Sequence, residues 1–138
     1  MYCLRTEIGA PPEEIMQSER LQNAHSAGWA MLLTFLPLDP ERQTLLRVWV
    51  AFLGYAIGRP ELMAEHQRSA AELRSQLIAE LEALQQEQQV RADIDPRVEA
   101  NALLALVNGL GLDFLIQSQA LSPVQQTQVV QRYVEGLK

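Results

Sequence analysis

Few side chains in this sequence could carry covalent chemistry, and they are poorly placed for it. The histidines are His25 and His66, and the single cysteine is Cys3. A protein metal centre needs several such ligands converging at short, regular spacings. Beside His66 only Glu65 stands close by, with no second ligand on the same helical face. There is no phosphate-binding loop, nucleophile elbow or dinucleotide fingerprint. The acids Glu13 and Glu14, like Glu80 and Glu82, face different ways on their helices and read as solvated surface. Cys3 lies in an N-terminal arm, where a free thiol is incidental. The expectation is a chain with no catalytic residue, no metal and no cofactor, and not an enzyme.

The sequence is richer in groups that could hold a small molecule. Trp29, Met31, Phe35, Trp49, Phe52, Tyr55, Met63 and His66 are large and adaptable. Protein cores use the same residue types as ligand pockets, so core packing is the competing reading for each. The ligand-binding candidates are Trp29, Phe35, Trp49, Phe52, Tyr55, Met63 and His66. His66 is the most informative, because it interrupts an apolar stripe and its ring needs a polar partner. A hydrogen bond within the core would serve, and so would the polar group of a ligand.

Charge excludes one large class of partner. Seventeen acidic residues stand against eleven basic ones, for a net charge of −6. The ten arginines are scattered and never cluster. Nucleic-acid binding depends on concentrated positive charge that displaces counterions from phosphates, so this chain alone is not expected to bind DNA. One cysteine allows no intramolecular disulfide. The first residues, "MYCLRTEIGAPPEEIM", lack the basic and apolar segments of a secretory signal. The apolar stretches are interrupted by Arg47, Asn101, Asn108 and Asp113, so no membrane span is expected and the reading is cytoplasmic.

Apolar periodicity is helical nearly throughout. Proline is tolerated at the first helical position, where an N–H would be unpaired anyway. Asp39-Pro40, Asp95-Pro96 and Ser122-Pro123 each pair it with a capping residue, and Gln125 completes a capping box with Ser122. Arg59-Pro60 marks a fourth start with a poorer cap. The expected helices span about 13–36, 40–57, 60–89, 96–117 and 123–137. Residues 1–28 form an arm and a partial helix, and 29–138 form one all-α domain.

The helices differ in how much of their circumference is apolar. Helix 123–137 puts Val129, Val130, Tyr133, Val134 and Leu137 on one side. Helix 60–89 has a single stripe of Leu62, His66, Ala70, Leu73, Leu77, Leu81 and Leu84. Helix 40–57 offers water only Gln43, Thr44, Arg47, Ala51 and Gly54, with an apolar arc of roughly 220°. It is therefore expected at the centre of the domain. Helix 96–117 is also apolar nearly all round, more than one subunit can cover. Some of Leu103, Leu106, Leu110 and Phe114 should then remain for a second copy to cover, through a two-fold interface. Gly109 and Gly111 could permit close helix approach there. Asn101 and Asn108, seven apart, either fix register across that interface or mark a wet edge.

The segments "LPLDPERQTLLRVWVAFLGYAIGRPELMAEHQ", "VRADIDPRVEANALLALVNGLGLDFLI" and "LSPVQQTQVVQRYVEGL" together resemble the C-terminal domain of TetR-family transcriptional regulators. The resemblance is to the branch related to the betaine-pathway repressor, and it covers about residues 29–137. It implies an all-helical bundle of five to six helices that senses a small apolar or amphipathic effector. It further implies a homodimer joined by a four-helix interface built from 96–117 and 123–137. On that basis the interface candidates are Asn101, Leu104, Asn108, Gly109, Leu112, Leu115, Val130, Tyr133 and Val134. Relatives begin with a DNA-binding head containing a helix-turn-helix, and nothing before residue 29 has that pattern. DNA recognition is therefore carried onto no residue of this chain. It is expected to be either a piece of a longer repressor or a headless relative. The second would act as a dimerisation partner that modulates a full-length regulator without binding a ligand.

Overall fold

The computed structural model describes residues 32–138, which are helical with no strand among them. The tail of one helix, at 32–34, leads through a tight turn into α1 (Pro40–Ala56), α2 (Pro60–Gln86), α3 (Pro96–Ile116) and α4 (Pro123–Glu135). Trp29 and Met31, like the expected arm at 1–28, lie outside the described residues.

Each start is fixed by the chemistry of its cap. Asp39 accepts a 2.8 Å hydrogen bond from the Arg42 backbone N–H. Asp95 accepts one from Arg97 at 2.9 Å. Ser122 and Gln125 exchange the two bonds of a capping box. Arg59, ahead of α2, makes no side-chain cap. Between α1 and α2 the chain turns on Gly58, whose φ of 86° suits a residue without Cβ. Helix α2 stops at Gln86, short of the expected 89, because Gln88 takes φ 63° and the N–H groups of Gln89 and Val90 fold back onto the Leu84 carbonyl. The following turn is pinned by the Gln85 amide, which donates to the carbonyls of Arg91 and Ile94.

Helix α3 is the hub. It packs against α2 most extensively, and also against α4 and α1. Ala100, Leu103, Leu104, Val107 and Leu110 of α3 meet Leu73, Leu77 and Leu81 of α2, Leu46 and Trp49 of α1, and Val130 of α4 in one core. The stripe expected on α2 is the one that packs: Ala70, Leu73, Leu77 and Leu81 are buried, with Leu62, His66 and Leu84 half-buried.

Two expectations are corrected. Helix α1 is not the fully enclosed centre. Thr44, Arg47, Ala51 and Gly54 face water as expected, but so do Val48, Phe52 and Tyr55. Only one side of α1 meets α2 and α3, so its opposite apolar residues are uncovered by the described helices. Helix α3, at 21 residues and a mean hydropathy of 1.4, is long and apolar enough by length and composition to cross a membrane. The interrupting Asn101, Asn108 and Asp113 do not prevent this. A third of that stretch is buried against the rest of the subunit.

The close helix approach expected at a glycine occurs inside the subunit. A Cβ on Gly111 would lie 3.1 Å from the Leu46 Cδ2, whereas one on Gly109 would meet nothing within 4 Å. Gly111→Val should therefore force α1 and α3 apart and cost about 1–3 kcal/mol in chemical denaturation, as overpacked cores do. Unchanged stability would refute the tight α1–α3 contact.

Candidate functional site

Two regions of the molecule contain the residues singled out from sequence. The first lies where α1 faces the start of α2. Trp49, 8 % exposed, and His66 place their ring centroids 5.8 Å apart at an interplanar angle of 49°. This is within the range of favourable tilted aromatic pairs. Both come from apolar stripes, one on each helix, and the Gly58 turn sets the helices side by side. Burial lowers the pKa of His66 below its ordinary value, and nearby positive charge, Arg74 included, lowers it further. The ring is therefore held neutral near pH 7, offering one N–H donor and one acceptor rather than a cation.

The other ligand candidates are placed differently. Phe35 is buried in the core beside Leu32, Leu33 and Leu36. Met63 is half-buried on the turn before His66. Phe52 and Tyr55 lie on the outer side of α1, with Tyr55 61 % exposed. The Arg59 guanidinium sits over the Tyr55 ring, 4.1 Å from its centre, and donates to the Tyr55 carbonyl. Trp49 and His66 are thus what the fold draws together, with Phe35 in the same core cluster as Trp49, while Phe52 and Tyr55 lie on the exposed side of α1. Among the described residues no group of His, Cys, Asp and Glu is arranged to hold a metal ion.

The second region is the outer face of α3 with the adjoining α4. Val98, Asn101, Ala105, Gly109, Leu112 and Ile116 follow one another at helical spacing and are all exposed, Ile116 by 74 %. On α4, Val124 is exposed as well. Of the interface candidates, Asn101, Gly109 and Leu112 are on this face, and Asn108, Leu115, Tyr133 and Val134 are half-buried beside it. Leu104 and Val130 are instead buried in the subunit core, because α2 and α4 already cover that side of α3. Leu103 and Leu110 are buried for the same reason, while Leu106 and Phe114 are half-buried.

Several contributors went unnoticed in the sequence. The exposed members Val98, Ala105, Ile116 and Val124 follow from the same periodicity read one face further round. Tyr133 donates a hydrogen bond to the Glu99 carboxylate, linking α4 to the first turn of α3. Burial first, then that bond and the negative charge of Glu99, push the Tyr133 phenol up to about 12. Arg42 is buried although charged, paired with the carboxylate of its own helix cap, Asp39. Arg74 donates a 2.9 Å hydrogen bond to the Asn101 side chain across the α2–α3 contact.

This helical arrangement has a counterpart among known proteins. A family model, the C-terminal domain of BetI-type transcriptional repressors, of the TetR type, matches residues 26–137. The chain belongs to that family. No curated protein and no solved structure compared with the chain matches it. The BetI-type domain is part of a non-enzymatic class of transcription regulators, which generally work as homodimers and respond to small-molecule effectors. The all-α fold and the regulator assignment hold for this chain.

The lowered pKa of His66 gives the BetI-type domain a pH dependence with a defined sign. The unfolded chain takes up the proton near pH 6.5, before the folded ring does. Stability from this site is therefore complete above about pH 6.5 and is lost as pH falls through the folded value. Thermal melts at pH 7.5 and 5.5 should show a loss on acidification that is smaller in His66→Gln. An equal loss in both proteins would mean that His66 is not the titrating group.

Proposed function

We propose that this chain is the effector-sensing and dimerising part of a TetR-type repressor. In this reading the Trp49–His66 site, between α1 and α2, receives part of a small apolar or amphipathic molecule. The outer face of α3 and α4 meets its equivalent on a second copy. The ligand would act by population shift, binding one arrangement of α1 and α2 better than another. The observation that carries the proposal is the pairing of a half-buried, neutral histidine with a buried tryptophan from another helix, within a domain whose family responds to effectors. The aromatic face would supply apolar contact and the imidazole a directed hydrogen bond. The exposed stripe from Val98 to Ile116 supports the second copy, since apolar faces of this kind are commonly subunit interfaces. Gly109, with open space beside it, would let two such helices approach closely.

A second reading keeps the dimer and drops the ligand: a dimerisation partner that modulates a full-length regulator. The exposure of Phe52 and Tyr55 on the outer side of α1 favours it.

A thermal-melt screen with small apolar and amphipathic molecules separates the two. A ligand at about a hundred times its Kd should stabilise the fold by about 2.7 kcal/mol. His66→Ala should melt near the parent without ligand but lose most of that gain. A panel without a hit, or a hit indifferent to His66→Ala and Trp49→Phe alike, would support the ligand-free reading.

A further inference from the structure

The polar residue in the middle of the exposed α3 stripe is held by a side chain from another helix. Asn101 lies between Val98 and Ala105, and its carboxamide has two internal partners. Oδ1 accepts from Arg74 Nε at 2.9 Å, and Nδ2 donates to the Arg97 carbonyl at 2.8 Å. The assignment of the amide oxygen and nitrogen is forced by chemistry. Guanidinium N–H groups can only donate, and a backbone carbonyl can only accept. A primary amide has two donor hydrogens and two acceptor lone pairs, so one of each is left over. Asn101 is exposed, and both remaining valences are free of the bonds within the subunit.

We propose that Arg74 is a positioning residue for dimerisation: it locks the Asn101 amide so that the spare N–H and lone pair face the second copy and pair with the partner's amide. This rests on the dimer reading above and names the side chain that sets its register. One donor and one acceptor on the same group is what a side chain needs to pair with its own copy at a two-fold axis, because each subunit must there offer what it accepts. A buried asparagine that pairs across an otherwise apolar helix seam selects one register over its neighbours, since a slipped seam leaves the amide unpaired. Without Arg74 the amide keeps only its bond to the Arg97 carbonyl, so one side of it is no longer held and its plane can tilt away from the partner. Arg74 also links the two regions of the molecule. It stands two turns along α2 from His66, and its charge is among those felt by that ring. A shift of α2 caused by a ligand near His66 would therefore move the group that orients Asn101.

The test is a double-mutant cycle on the dimer dissociation constant, measured by sedimentation of the full chain at several concentrations. Arg74→Met and Asn101→Ala should each weaken the dimer, by about tenfold for a lost, desolvated hydrogen bond. The double variant should be no weaker than Asn101→Ala alone. Arg74→Lys, which can still donate to Oδ1, should recover part of the loss. Because both side chains are exposed, the circular dichroism of each variant should match the parent, which separates positioning from folding. If Arg74→Met dimerises like the parent, or weakens the Asn101→Ala protein tenfold as well, the assignment of Arg74 is wrong. If the parent itself sediments as a monomer at all concentrations, the dimer reading falls and this inference with it.

Discussion

Helix α3 has more apolar perimeter than its neighbours within the subunit share. Three described helices reach it, and the residues that meet them, from Ala100 to Leu110, are sealed in the core. The line from Val98 through Ala105, Gly109 and Leu112 to Ile116 is left in water. Exposed apolar surface on one such helix has a cost that grows roughly with its area, and burying it is the largest favourable term available to an association. The arrangement of the rest of the molecule follows from serving this helix. Helix α2 is long because it must cross α3 along most of its length. Helix α4 is amphipathic because it covers only one flank. Gly111 is small because α1 must come close enough for Leu46 to reach the core.

Polar groups hold the elements in register around that hub. The buried Arg42–Asp39 pair fixes the entry to α1 and forms part of the cap itself, so the charge is compensated where it is buried. Tyr133 and Glu99 join α4 to α3, and Arg74 and Asn101 join α2 to α3. The backbone N–H of Arg91 donates to the Leu137 carbonyl, closing the C-terminus onto the α2–α3 turn. A ligand between α1 and α2 would act on a frame whose helices are connected at specific points, and the connection nearest the outer face of α3 runs through Arg74.

Much of this was legible from the chain alone, for identifiable reasons. The four described helix starts were readable because proline at the first helical position acts locally, and in three of them so does the Asp or Ser before it, through bonds spanning three residues or fewer. The single stripe of α2 was readable because one-sided burial leaves a plain 3.6-residue period. The position of α1 was not, because an apolar arc says that a helix can be buried but not whether a neighbour covers it. The arc alone places Val48, Phe52 and Tyr55 inside, and they face water. Leu104 and Val130 show the converse: they lie on the helices expected at an interface, but on faces already filled within the subunit. Gly109 and Gly111 look alike in sequence, and only the Leu46 side chain distinguishes them. Of the ligand candidates, Trp49 and His66 were paired by the α1–α2 turn, a tertiary fact that no spacing within either helix contains.

The central claim, that a second subunit completes the surface of α3, is tested most directly by the mass of the chain in solution. Light scattering at micromolar concentration should give twice 15.5 kDa. Gly109→Leu, whose Cβ would meet nothing within 4 Å in the subunit, should reduce that to a folded species of single-chain mass. A parent protein that scatters as a single chain across that range would contradict the account.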